Sequence, residues 1–75
     1  MNGVDLRREQ QALLDDLVEH RLNNGLSQGD VAARTGVSRS SISVLENGKR
    51  SPGLLNLIRY ANAIGVEITF TVKRR

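Results

Sequence analysis

The stretch "QGDVAARTGVSRSSISVLEN", residues 28–47, decides the fold. It divides at Gly36 into two short segments with apolar residues at helical spacing. Two short helices joined by a turn of three or four residues must cross steeply if they are to share a core. That crossing dictates residue types. Ala32 lies where the helices touch and must be small, and Gly36 lies in the turn, where a positive φ is expected. Val31, Val37, Ile42 and Leu45 are spaced to wedge into the angle between the helices.

Together these features make the helix-turn-helix pattern. A plain helical hairpin would explain the wedges and nothing more. The caps agree with the pattern. Ser27 is placed to cap the first of the two helices, with Asp30 at N3 as in a capping box. Ser38 caps the second, and Gly48 stops it.

Further out, "DLRREQQALLDDLVEHRLNNG" reads as a longer first helix. Asp5 is its cap, Leu6, Leu13, Leu14, Leu17, Val18 and Leu22 share one stripe, and Asn24 and Gly25 end it. "SPGLLNLIRYANAIG" reads as a fourth helix, capped by Ser51, with Pro52 in the first turn and Gly65 at the close. Leu54, Leu57, Ile58, Ala61 and Ile64 point inward in that reading. The period then changes. In "VEITFTVK", Val66, Ile68, Phe70 and Val72 alternate with Glu67, Thr69, Thr71 and Lys73, which predicts a strand. The expected fold is therefore mainly α: a four-helix domain over 1–65, with its motif at 28–47, and a C-terminal strand and basic tail over 66–75.

The 75 residues make one small domain whose core is marginal by itself. With no cysteine and a single His20, there is no disulfide, no metal cluster and no expected cofactor. No apolar run is long enough for a membrane span, and no signal-peptide pattern opens the chain, so the expected location is the cytoplasm. An enzyme is set aside, because the serines have no base placed to activate one. Net charge is +3, unevenly spread. Residues 1–33 carry three arginines against six carboxylates, and residues 34–75 carry eight cations against two carboxylates. The second half suits a polyanion.

The outer face of the third helix says which polyanion. Its first turns present Arg39, Ser40 and Ser41, with Ser43 and Val44 beside or below them. In this motif the second helix enters the DNA major groove with its N-terminal residues at the base edges. Small side chains let a helix sink deep, a guanidinium forks onto guanine, hydroxyls donate or accept, and valine touches a thymine methyl. A face that only met solvent would be better built from lysine or glutamate, since serine is a middling helix former. Arg39, Ser40, Ser41, Ser43 and Val44 are thus the candidate base contacts.

Gln28, Ser38, Asn47, Lys49 and Arg50 are the candidate phosphate contacts. Gln28 begins a helix whose amides suit an anion, and the last three lie just after the third helix. Lys49 and Arg50 also complement the negative end of that helix. Glu46, close to the same end, is unfavourable there and calls for a cationic partner.

At these residues the chain resembles the lambda-repressor-like, Cro/cI-type (XRE) helix-turn-helix proteins. "LSQGDVAARTGVSRSSISVLENGKRSP" looks like their signature, and the likeness continues through "LLNLIRYANAIGV". The resemblance implies a sequence-specific DNA binder working as a dimer. It implies that Gln28 and Asn47 meet the phosphate backbone and that Arg39, Ser40 and Val44 read bases. It also implies a structural salt bridge between Arg21 and Glu46. Many members continue into a fifth helix. The strand here is instead similar to that of HipB-type antitoxins.

A lone strand leaves both edges unpaired, and its simplest partner is the same strand of a second copy. Val66, Ile68, Phe70 and Val72 are then the expected dimer interface. Two readings follow: a dimeric regulator, most simply a repressor on a palindromic operator, or an antitoxin that also binds a toxin protein. The second would use the outer side of the first helix, at Asp15, Asp16 and Glu19.

Overall fold

The computed structural model describes residues 6–74. Four helices follow in order: α1 (Leu6–Asn23), α2 (Gln28–Thr35), α3 (Arg39–Asn47) and α4 (Leu54–Ala63). The Asp5 cap lies outside the described residues. The other local signals at the motif are present as hydrogen bonds. Ser27 Oγ accepts from the Asp30 N–H at 3.0 Å while the Ser27 N–H donates to the Asp30 carboxylate at 2.8 Å, completing the capping box. Ser38 Oγ caps α3 by accepting from the Ser41 N–H at 3.2 Å. Gly36, in the turn, has φ +74°, the left-handed conformation that its position demands.

The core is built where the motif requires it. Val31 is fully buried, Ile42 nearly so, and both join Leu17, Tyr60, Ala61 and Ile64 in one cluster. Ala32, Val37 and Leu45 pack half-buried against that cluster. Both α1 and α2 pack against α3, and α2 also packs against α4.

Three expectations are corrected. The apolar stripe of α1 is narrower than the sequence implies. Leu14 and Leu17 are buried, Val18 is half-buried, and Leu6, Leu13 and Leu22 are exposed. So small a bundle covers only the line through Leu14, Leu17 and Arg21. Next, α4 starts later than Ser51. Gly53 is its N-cap, with no side-chain cap bond, and Ser51 and Pro52 precede it. The Ser51 hydroxyl is taken by α1, donating to Gln10 Oε1 at 2.8 Å, and a residue before proline is biased to extended backbone. Leu54, consequently, is more than half exposed, as is Leu55.

The C-terminal segment differs in a third way. Residues 66–74 form no strand within the chain. A strand needs a neighbour, and among the described residues no other segment is a strand. The Val66 N–H closes α4 by donating to the Ala61 carbonyl at 2.8 Å. The alternating face then divides. Val66 and Ile68 pack half-buried on the chain's own core, while Phe70 and Val72 stand exposed, Val72 almost fully.

Candidate nucleic-acid interface

A turn of 100° per residue puts Ser40, Val44 and Asn47 along one line of α3, opposite the buried Ile42. All three are exposed, as are Arg39, Ser41 and Ser43 on either side. The first turn is ordered by hydroxyls. Ser38 Oγ donates to Ser41 Oγ at 2.8 Å and lies 3.2 Å from Ser40 Oγ. Asn47 Oδ1 accepts from the Lys49 N–H at 2.9 Å, which folds the start of the following loop back on the helix end.

Two clefts flank this ridge. One, of about 360 Å³ between α3 and α4, brings together Ser40, Ser41, Val44 and Arg50, with Ile42 and Tyr60 among the residues beneath. The other, of about 480 Å³ beside α1, holds Gln28, Ser43 and Asn47 opposite Asp15 and Glu19. The chain thus collects most of the candidate DNA contacts in one region. Val66 and Ile68 stand apart from it, against the core.

What holds α3 in place is a buried polar node at Glu46. Arg21 of α1 donates to it twice, Nε to Oε2 at 2.7 Å and Nη2 to Oε1 at 3.0 Å. Gln28 of α2 donates Nε2 to Oε1 at 2.9 Å, and the Tyr60 hydroxyl of α4 donates to Oε2 at 2.5 Å. Arg21 also donates Nη1 to the Leu26 carbonyl at 2.8 Å. The side chains of Arg21 and Glu46 are each only 8% exposed, so this ion pair is shielded from solvent, unlike a surface pair.

Sequence reasoning missed Tyr60 in this node, and placed Gln28 only at a phosphate, with no inward role for its side chain. A signal for Tyr60 was present. It is the only tyrosine and sits at core spacing between Leu57 and Ile64, and a buried phenol needs a partner for its hydroxyl.

The electrostatics follow from this geometry. Burial pushes the Glu46 carboxyl up, but hydrogen bonds from Arg21, Tyr60 and Gln28, with the guanidinium charge, outweigh it and hold the carboxyl below the ordinary glutamate range. Burial and the adjacent carboxylate push the Tyr60 phenol well above its ordinary value, so it remains a donor. The Ser27 N–H and hydroxyl lower the Asp30 carboxyl.

For Glu46, the folded value lies below the unfolded one. Its contribution to stability is therefore complete above the unfolded carboxyl range and is lost as pH falls through the folded value. Urea midpoints measured downward from neutral pH should drop below about pH 4. Glu46→Gln should flatten that drop. An acid limb identical in the variant would remove Glu46 from this role.

Among the described residues no group of three or more His, Cys, Asp or Glu could hold a metal ion, and no helix is long and apolar enough to cross a membrane.

A helix-turn-helix family model matches residues 17–70, well over half of the chain. The chain belongs to the helix-turn-helix family. The match takes in the second half of α1, the motif, α4 and the first half of the C-terminal segment. This helix-turn-helix chain is 47% identical over 49 residues to an "Uncharacterized HTH-type transcriptional regulator" of Methanothermobacter thermautotrophicus, covering 65% of this chain and 71% of that protein. It is 44% identical over 46 residues to the "Uncharacterized HTH-type transcriptional regulator y4dJ" of Sinorhizobium fredii, covering 61% and 60%. It is also 39% identical over 49 residues to y4dL of the same organism, covering 65% of this chain but only 25% of that longer protein. No solved structure matches the chain. The Cro/cI-type resemblance agrees with the family match. The HipB-like strand has no counterpart in these findings.

Proposed function

We propose that this chain is a sequence-specific regulator of transcription that binds double-stranded DNA as a homodimer, and that it represses from a palindromic operator. Family membership supports DNA-binding regulation of transcription, and three relatives carry the name of transcriptional regulators. The observation that carries the reading is the exposed ridge of α3, made of short side chains and braced from behind by Glu46.

In this reading Arg39, Ser40, Ser41, Ser43 and Val44 meet base edges in the major groove. Ser38, Asn47, Lys49 and Arg50 meet phosphates. Gln28 joins them through its main-chain N–H at the start of α2, because its side-chain amide already serves Glu46. Two chains would place their α3 helices about 34 Å apart, one turn of the duplex. A pair seated there would occlude promoter DNA.

Selection of bound sequences from random duplex DNA tests the reading. A two-fold symmetric consensus supports it, and an unenriched pool overturns it. Arg39→Ala should then cost about 1–3 kcal/mol and relax the preference at one base pair. Unchanged affinity across base substitutions would remove Arg39 from the reading set.

The antitoxin reading draws on the exposed Asp15, Asp16 and Glu19 of α1. It predicts a tight complex with a co-encoded toxin, measurable by calorimetry.

A further inference from the structure

The ridge of α3 has flanks of opposite sign. On the α4 side, the cleft of about 360 Å³ that holds Ser40 and Val44 is also lined by Arg50, and no carboxylate is among the described residues around it. On the α1 side, the cleft of about 480 Å³ that holds Ser43 and Asn47 is also lined by Asp15 and Glu19, and no cation is among the described residues around it. Asp15 and Glu19 are four residues apart, so they stand one above the other on a single face of α1. Both are exposed. Asp15 accepts a hydrogen bond from Gln11 Nε2 at 2.8 Å, and a neutral amide leaves its charge in place. Glu46 lines the same cleft, but its charge is matched by Arg21. The sign of the α1 flank is thus set by Asp15 and Glu19, which take no part in the core or in the Glu46 node.

A surface built only to attract a polyanion would not set two carboxylates beside its own candidate DNA contacts. Placed there they act by repulsion, and repulsion discriminates between ways of binding. We propose that Asp15 and Glu19 are specificity-determining residues that exclude wrong seatings of α3 on the duplex. The proposal rests on the DNA-binding reading above and deepens it. In its correct seat the ridge is held by base contacts and tips toward the Arg50 flank. One phosphate strand then lies near the guanidinium and the other stays clear of α1. On a duplex without the right bases nothing fixes the tilt, and attraction to phosphates alone would hold the protein in many seats. Seats that press the α1 flank against the backbone bring like charges together and are lost. The pair therefore weakens sequence-independent binding more than operator binding.

The test compares binding of the full chain to a fluorescent duplex carrying its selected site and to a scrambled duplex. In Asp15→Asn with Glu19→Gln, the scrambled duplex should be bound about tenfold more tightly at low salt, and the gain should fade as salt is raised. The selected duplex should gain clearly less, so the ratio of the two affinities falls. Glu19→Gln alone should give about a threefold gain on the scrambled duplex, with helical content by circular dichroism unchanged. Asp16 is an exposed carboxylate of the same helix that lines neither cleft. Asp16→Asn removes a charge without touching the flank and should leave the ratio near that of the wild type. A wild-type chain that binds neither duplex, or both alike, overturns the sequence-specific DNA-binding reading itself. A wild type that prefers its site, with the ratio unchanged in the double variant, overturns this proposal alone. A ratio that falls equally in Asp16→Asn also overturns it, because net charge rather than position would then be the cause.

Discussion

Glu46→Ala is expected to lower the stability of the domain by about 3–5 kcal/mol, the cost of leaving a buried charge without its partner. A 75-residue chain has a total stability of roughly 4–11 kcal/mol at typical values per residue, so the variant should lose from about a quarter to all of it. The reason lies in what the carboxylate serves. Its loss strands the Arg21 guanidinium, the Gln28 amide and the Tyr60 hydroxyl together, and all four helices meet through it. Helical content followed by circular dichroism through thermal melting checks this. A melting point close to that of the wild type would mean that apolar packing alone positions α3.

On the proposed homodimer reading, Phe70→Asp should yield monomers without unfolding the domain. The side chain is 64% exposed in the single chain, so its replacement costs the core little. In a pair joined antiparallel through residues 66–74, the same replacement would bury two carboxylates on a shared apolar face. Losing the pairing would turn a linked two-site interaction with a palindrome into two independent ones, weakening operator binding by about 10²–10⁴-fold. Light scattering on a sizing column and titration of whole and half operators separate the two effects. A dimer that survives the substitution would move the interface elsewhere, with the exposed Leu54 and Leu55 of α4 the next surface to try.

Much of this fold was legible because its signals are local. Ser27 with Asp30, Ser38, Gly36 and Gly48 each dictate backbone within a few residues, and the structure realises every one of them. The wedges were legible because steep crossing of short helices permits few residue types. What escaped was set by distant contacts. Ser51 is a good cap in isolation, but Gln10, 41 residues away, takes its hydroxyl. The stripe on α1 contains six apolar positions, yet the partner surface is wide enough for only part of it. The outward ridge of α3 could be read directly, since it is defined by what does not pack. The clefts beside it could not, because they join residues from α1, α3, α4 and the loop after α3. Charge by halves was likewise a poor map, for Arg7 and Arg8 end beside Lys49.

The exit of the C-terminal segment leaves little slack. Arg34 of α2 donates Nη1 to the Ala63 carbonyl at 2.8 Å, the Val66 N–H returns to Ala61, and Val66 and Ile68 are seated on the core. These contacts tie the beginning of the arm to the body of the domain. In a pair built on such arms, the distance and twist between the two reading heads would be a property of the fold. A base pair inserted at the centre of an operator would displace one half by about 3.4 Å and a tenth of a turn, and such a dimer should bind it more weakly than the uninterrupted site.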